Sequence, residues 1–341
     1  AAERPSPPVA PERFAVLQAL LAYLLDRAGS RWRGFPISYG TGLWPWVLVS
    51  SLVGLAISVI LFGGLLSDGW VPTFVPFVSV PAGIVFVYGR GWSKALTGGV
   101  LGALITFPIA YLVITYVLTP LSLPAVIGNV TGMWLGAIIA FEICRLLPWM
   151  TREDAPPEGE DIPETEQAAE FREPPPAEHP TAKRGWFGRR VLADFSEAQF
   201  YGNELASAGL ILGTLLSWAM NPLHPAYGSG LLPAILLSQI LASAVAVLLY
   251  YERWRELEWY PTFVPVVSVA PAVVLAFGGT MQSVLAGAIL GAIAGPPVAQ
   301  FIIDRLPSHW HLFIGNTFSM ALCTAIIVPV LSVLPGFQLA A

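Results

Sequence analysis

The segment Pro-Thr-Phe-Val-Pro-Phe-Val-Ser-Val-Pro, residues 72–81, recurs as Pro-Thr-Phe-Val-Pro-Val-Val-Ser-Val-Ala at residues 261–270, and eight of the ten positions are identical. The similarity continues without a gap over residues 70–110 and 259–299, at a constant offset of 189 residues. A match of this length at one offset indicates an internal duplication of the chain.

The composition is that of a membrane protein. Hydrophobic residues make up 55% of the chain, charged residues only 11%, and the mean hydropathy is +0.67. Soluble domains carry about 25% charged residues, so we predict an all-α polytopic membrane protein. Most acidic residues lie in one hydrophilic stretch between the halves, and the net charge of −5 therefore does not describe the membrane-embedded part. No basic surface for nucleic acid is present, which excludes that class of partner.

Changes in composition divide the chain into four parts. A polar, proline-rich tail at residues 1–12 precedes a first membrane repeat at 13–150, and a second repeat covers 201–336. Residues 151–200 are predicted to form a disordered cytoplasmic linker, because a Pro/Glu-rich composition cannot bury a core. The linker ends in a basic and aromatic run over residues 183–190. We interpret this run as a membrane-surface anchor, with specific lipid or protein recognition as the alternative.

Each repeat is predicted to contain about five helices, the third of which is a signature segment, residues 72–88 or 261–277. Three prolines in each segment remove amide donors and clash with preceding carbonyls, so we predict a Pro-broken helix. In hydrocarbon, such backbone is tolerated only where protein buries it or water reaches it. The other helices are expected at 16–26, which is too short to be a definite span, 43–66, 93–118 and 123–147, and at 206–220, 231–251, 282–303 and 311–334.

Positive charge predicts the orientation of the helices. If both signature segments cross the bilayer, 15 of the 17 basic residues fall on the linker's side, and the second repeat is inverted relative to the first. If the segments turn back instead, Arg27, Arg31, Arg33 and Arg305 move to the opposite side. The positive-inside rule therefore favours two inverted-topology repeats with a cytoplasmic linker. The expected location is a prokaryotic plasma membrane.

Two inverted repeats that each carry a broken helix resemble the architecture of secondary transporters, whose site lies at the midplane between the repeats. We therefore predict a transporter or channel-like permease for a small neutral, zwitterionic or anionic solute. Thr73 and Thr262 are expected to face one another across a shared cavity. The candidate binding residues supply polar groups or interrupt a helix: Thr73, Pro76, Ser79, Thr262, Pro265, Ser268, Asn129, Thr131, Asn316, Thr317 and Ser319.

Each group of candidates also has a purely structural interpretation. The hydroxyls of the signature segments could bond back to carbonyls four residues earlier in their own helices. Asn129 and Asn316 could cap the fifth helix of each repeat. Glu142, a carboxylate inside an apolar run, is a candidate for proton coupling, whereas an ion pair with Arg145 would place it at the membrane surface.

Signals for an enzyme are absent from the sequence, which has no Walker motif, no H-E-x-x-H and no nucleophile with a histidine at membrane depth. No metal site or cofactor is predicted, since Cys144 and Cys323 share no ligand spacing. A coupling ion such as sodium or a proton is left open. The expected partners are the bilayer and a small-molecule or ion substrate, with homo-oligomers or other membrane subunits left open. The rival function is a non-transporting scaffold or subunit of a larger complex, whose midplane should be packed solid with apolar side chains.

Overall fold

The computed structural model describes residues 20–21, 23–24, 42–68, 72–152, 185–200, 202–220 and 230–338. Throughout these ranges the regular secondary structure is helical. Six of the helices are long and apolar enough to cross a membrane. The chain is therefore an α-helical integral membrane protein, as its composition predicted.

The first half contains three of the six long helices. Helix α1 is Trp44–Phe62 and continues as the 3-10 helix Gly63–Asp68. The first signature segment follows, with the 3-10 helix Val75–Val78 and then α2, Val80–Tyr88. Helix α3 is Trp92–Leu118, in which the stretches Gly102–Thr106 and Ile114–Leu118 are π-helical, and α4 is Ala125–Leu146.

The second half begins with two further helices and then repeats this order. Helix α5 is Trp186–Glu197 and α6 is Glu204–Met220. The helices that match α1 to α4 follow in chain order: α7 Leu232–Leu249, its extension α8 Tyr251–Leu257, the short α9 Val264–Val267, α10 Val269–Phe277, α11 Met281–Ile303 and α12 Phe313–Ser332.

Helix α5 corrects the predicted boundary of the linker. The predicted disordered linker extended to residue 200, yet residues 186–197 form a helix whose Trp186 and Arg190 are buried within the protein. The interpretation of the basic run as a surface anchor is therefore wrong for Arg190. The tail at 1–12, most of the helix at 16–26 and the rest of the linker, residues 153–184, lie outside the described residues.

Both signature segments are interrupted at the same position. Ser79 separates Val75–Val78 from α2, with φ −145° and ψ −115°. Ser268 separates α9 from α10 in the same way, with φ −128° and ψ −90°. Each segment thus consists of two short helical pieces joined at a serine.

Equivalent serines hold each signature segment in place. Ser50 on α1 and Ser238 on α7 are both fully buried, and each hydroxyl lies within hydrogen-bond distance of two carbonyl oxygens on neighbouring helices. One acceptor belongs to the signature segment and the other to the helix after it. For Ser50 the acceptors are Pro81 O at 3.2 Å and Ala95 O at 2.8 Å, and for Ser238 they are Ala270 O at 3.3 Å and Val284 O at 3.1 Å.

The two halves meet along α4 and α12, which run antiparallel. Trp134 in the middle of α4 packs edge-on against Phe318 of α12, with ring centroids 5.2 Å apart. Glu142, near the end of α4, accepts hydrogen bonds from His309 at 2.8 Å and Trp310 at 3.0 Å, just before α12 begins. From the first contact to the second, the residue number rises on α4 from 134 to 142 and falls on the other side from 318 to 309, so the two helices run in opposite directions.

Candidate functional site

The serine hydroxyls of the signature segments bond within their own segments. Ser79 Oγ donates to Val75 O at 2.6 Å, and Ser268 Oγ donates to Val264 O at 2.7 Å. Both serines are fully buried. The structural interpretation predicted these hydrogen bonds, from each hydroxyl to the carbonyl four residues earlier. At the interruption of the helix, the hydroxyl takes the place of an amide donor.

The hydroxyls on α4 and α12 are also bonded inside the protein. Thr131 Oγ1 donates to Ile127 O at 2.6 Å, and Thr317 Oγ1 to Phe313 O at 2.9 Å, both one turn back along the same helix. Ser319 behaves differently, because its hydroxyl donates to Gly295 O of α11 at 2.7 Å and so joins two helices.

The two signature threonines have different surroundings. Thr73 is partly buried, whereas Thr262 is fully buried and donates from Oγ1 to Asp194 Oδ1 at 3.1 Å. Pro76 and Pro265 are both buried in the packed core. The hydrogen-bond partner of Thr262 is thus on α5, whereas the sequence predicted that Thr262 would face Thr73 across a shared cavity.

Asp194 belongs to a buried ion cluster that the sequence did not predict. Arg190 donates to both Asp194 and Glu197, one turn and two turns further along α5. The three side chains are 0%, 0% and 1% exposed. Isolated charges in such a place would be very costly, so mutual pairing is what makes the burial tolerable.

Groups from three other parts of the second half complete the cluster. The hydroxyl of Ser243 on α7 lies 2.5 Å from Asp194 Oδ2, and Trp259 Nε1 donates to Glu197 Oε1 at 2.6 Å. The guanidinium of Arg190 lies 4.8 Å from the ring centre of Trp254. Helix α5 is thereby attached to α7, to α8 and to the start of the second signature segment.

Burial shifts the ionisation of the two central groups in opposite directions. Loss of water raises the pKa of Asp194 above its ordinary value, although Arg190, Ser243 and Thr262 all act to lower it. The same loss of water lowers the pKa of Arg190, which the nearby carboxylates oppose. Both shifts favour the neutral forms, because a low-dielectric site disfavours net charge.

Asn129 and Asn316 are not helix caps, so that structural interpretation is wrong. Helix α4 begins after Pro124 and α12 after Leu312, and neither start has a side-chain cap. Both asparagines lie inside their helices and are 8% and 2% exposed. Each side-chain Oδ1 is buried and has no hydrogen-bond partner among the described residues.

A shallow surface cavity of about 230 Å³, open beside the exposed Leu322, lies between α4 and α12. Thr131 and Trp134 provide its polar edge, and the indole Nε1 of Trp134 is buried without a partner within the described part of the chain. The remaining lining is apolar, from Ile127, Phe318, Ala321, Leu322 and Ala325. Of the predicted site residues, this cavity contacts Thr131 alone.

The carboxylate of Glu142, near the end of α4, is fully engaged in hydrogen bonds and an ion pair. It pairs with Arg145 at 2.9 Å, as predicted for the structural interpretation, and its side chain is 44% exposed. His309 and Trp310 donate to its other oxygen. A carboxylate this exposed, with three donors, lies at the edge of the bundle and links its two halves.

Among the described residues, the buried polar groups include the α5 cluster at Thr262 and, separately, Asn129 on α4 and Asn316 on α12. The sequence indicated the two asparagines and missed the cluster, because α5 was taken as linker. In comparisons with protein-family models, curated proteins and solved structures, no match to this chain was found.

Proposed function

We propose that this protein is a secondary transporter or channel-like permease for a small neutral, zwitterionic or anionic solute. The observation that carries this proposal is the pair of buried Oδ1 atoms of Asn129 and Asn316, at equivalent positions of α4 and α12, which have no hydrogen-bond partner among the residues that the structure describes. A buried acceptor without a donor costs about 1–3 kcal/mol. A bound solute that donates hydrogen bonds would explain why such an acceptor occurs at equivalent positions on both helices that join the halves.

We further propose that the halves are inverted repeats. The equivalent helices α4 and α12 run antiparallel, which supports a pseudo-two-fold axis in the membrane plane. A repeat about an axis along the membrane normal would keep them parallel. Such an in-plane axis passes between α4 and α12, so a solute near it would be approached by both helices.

The orientation we propose follows from the basic residues. With inverted repeats, Arg90 before α3, Arg145 at the end of α4 and Arg305 after α11 lie on one face together with the linker. The positive-inside rule assigns that face to the cytoplasm of a prokaryotic plasma membrane.

The chemistry of the α4–α12 pair suggests what the solute carries. Asn129 and Asn316 each offer an amide oxygen and Trp134 an indole N–H, all buried without a partner among the described residues, and no charged side chain lines the cavity beside Trp134. A solute with its own N–H or O–H groups and no net charge satisfies these atoms at the lowest desolvation cost.

Replacing Asn129 or Asn316 by leucine is expected to stabilise the solute-free protein by about 1–3 kcal/mol, because it removes an unpaired buried oxygen at similar volume. The same change should abolish binding. Thermal unfolding of the purified protein, with and without millimolar amino acids, polyols or small carboxylic acids, measures both effects. At a hundredfold excess over Kd a solute adds about 2.7 kcal/mol, and a solute that stabilises wild type should then enter proteoliposomes.

Asn203 provides the matched control. It is also fully buried, but its Oδ1 accepts from the backbone amides of Leu205 at 2.7 Å and Ala206 at 3.3 Å at the start of α6. Asn203→Leu should therefore destabilise the protein by about 0.5–2 kcal/mol and leave solute binding intact. The transporter proposal fails if the Asn129 and Asn316 variants lose stability as Asn203→Leu does and no solute distinguishes them from wild type.

The scaffold remains the second candidate function, and one observation favours it. The hydroxyls of Ser79, Ser268 and Thr317 are all bonded within their own helices, so the signature segments offer fewer unoccupied donors than the sequence indicated. A scaffold should purify with a constant partner from its native membrane and show no solute-dependent stabilisation.

A further inference from the structure

We propose that Asp194 is a proton-binding site that ties the cytoplasmic end of the second signature segment to α5. Its Oδ2 carries a proton in the folded protein at neutral pH. The proton binding stands on the geometry of the cluster, while its use in transport rests on the function proposed above.

The charge of the cluster requires a proton. One guanidinium, Arg190, faces two carboxylates, Asp194 and Glu197, and all three side chains are at most 1% exposed. With both carboxylates ionised, the cluster would bury a net negative charge. One bound proton makes it neutral, which a low-dielectric interior strongly favours.

A third carboxylate lies next to the cluster and is paired with an arginine of its own. Glu204 at the start of α6 is 3% exposed, and its charge also acts on Arg190. Its Oε1 pairs with Arg189 at 2.6 Å, whereas its Oε2 is buried with no partner in the described ranges. Arg189 is 35% exposed and balances Glu204, so it leaves the charge of the inner cluster unchanged.

The hydrogen bonds of Glu197 show that it is the ionised partner. Its Oε2 faces a guanidinium N–H of Arg190, and its Oε1 faces the indole N–H of Trp259. Arginine and tryptophan are donors only. Within the described ranges, neither oxygen of Glu197 therefore has an acceptor to which a carboxyl proton could point.

Asp194 has the acceptor that Glu197 lacks. Its Oδ1 faces two donors, Arg190 and Thr262, but its Oδ2 faces the hydroxyl of Ser243 at 2.5 Å. A hydroxyl can accept as well as donate. Ser243 Oγ also lies 3.3 Å from Val191 O. With the proton on Oδ2, Asp194 donates a hydrogen bond to Ser243 Oγ, and the hydroxyl of Ser243 donates to Val191 O. If Asp194 were ionised, its Oδ2 and Val191 O would both need the single hydroxyl hydrogen of Ser243.

The remaining charged groups near Asp194 do not change this assignment. Helix α5 contributes Arg189, Arg190 and Glu197, and α6 contributes Glu204. From α7 and the signature segment come hydroxyls, Ser243 and Thr262. Tyr250, Tyr260 and Arg253 stand further out, with both phenols shifted towards the neutral form.

Loss of the proton should loosen this contact. The acid dissociates to a carboxylate and a proton that passes to bulk water on the face where α5 lies. The cluster then has a net negative charge that burial opposes. Moving α5 outward relieves that penalty and releases Thr262. Proton binding is thereby linked to the position of the second signature segment.

Asp194→Asn mimics the protonated state and provides the test. Asparagine keeps an oxygen for Arg190 and Thr262 and places an NH2 where the acid O–H would donate to Ser243. Infrared spectra of the full-length protein at pH 7 should show a protonated-carboxyl band that Asp194→Asn lacks. The variant should also melt at or above the wild-type Tm.

The pH dependence of Tm gives a second readout. A carboxyl whose folded-state pKa is raised stabilises the fold below its unfolded pKa, about 3.9, and loses that contribution as pH rises through the folded pKa. The Tm advantage of Asp194→Asn over wild type should therefore be absent at low pH and grow as pH rises.

Glu197→Gln is the matched control at the neighbouring carboxylate. Its NH2 must face either Trp259 or Arg190, both donors only, so its Tm should fall well below that of wild type at every pH. The proposal is overturned if the infrared band survives in Asp194→Asn, or if Asp194→Asn and Glu197→Gln lose stability equally. A solute screen that finds no transport, with the infrared band present, would reject the transporter and keep the proton site.

Discussion

Arg190→Met is expected to destabilise the protein by about 3–5 kcal/mol, which is the usual cost of removing one partner from a buried ion pair. In the variant, the Glu197 carboxylate, which is 1% exposed, keeps one hydrogen-bond donor among the described residues, the indole N–H of Trp259. It also removes the stacking on Trp254. The free energy of unfolding in denaturant, or the Tm in detergent, measures the loss.

Two further variants separate the ion cluster from a general effect of losing an arginine. Arg253 pairs with Glu256 at 3.2 Å on α8, where both side chains are 60% exposed, so Arg253→Met should change stability by less than about 1 kcal/mol. The double variant Arg190→Met with Glu197→Met removes the whole pair and should recover much of the loss. Equal effects of Arg190→Met and Arg253→Met would contradict the buried pairing.

Gly132→Ala is expected to destabilise the protein by about 1–3 kcal/mol, although alanine is the better helix former. A Cβ at Gly132 on α4 would lie 2.6 Å from the carbonyl oxygen of Thr106 and 2.8 Å from Ala110 Cβ, both on α3. A backbone oxygen in a π-helical stretch cannot move aside as a side chain can, so α3 and α4 must move apart.

Gly188→Ala should have the opposite effect on stability from Gly132→Ala. Gly188 lies inside α5, and a Cβ there would meet no atom within 4 Å. Only the intrinsic preference of a helix for alanine then acts, and it should stabilise the protein by about 0.5–1 kcal/mol. Thermal unfolding of the two variants side by side tests whether the α3–α4 approach is as close as the structure has it. A stabilised Gly132→Ala would show that it is not.

Features that depend on local pattern could be predicted from the sequence. Long apolar runs placed the six membrane-length helices within a few residues of their observed bounds, since hydropathy over about 20 residues is a local property. The repeated decapeptide located both signature segments.

Helix α5 shows where local pattern stops being informative. Residues 186–197 contain both acidic and basic side chains directly after a Pro/Glu-rich stretch, which is typical of a solvated or membrane-surface segment. The partners that make Arg190 and Asp194 tolerable inside the protein are Ser243, Trp254 and Thr262, which lie about 50 to 70 residues further along the chain.

The hydrogen bonds of each polar side chain depend on the tertiary structure. From the sequence, Ser268 and Thr262 are hydroxyls six residues apart in one segment, yet Ser268 bonds back to Val264 while Thr262 reaches Asp194. Asn316 could have been a cap and is instead left with a buried, unpartnered oxygen. The physical reason is that a hydrogen bond depends on which acceptor lies within about 3 Å in the right direction. That distance is set by the packing of helices distant in the chain.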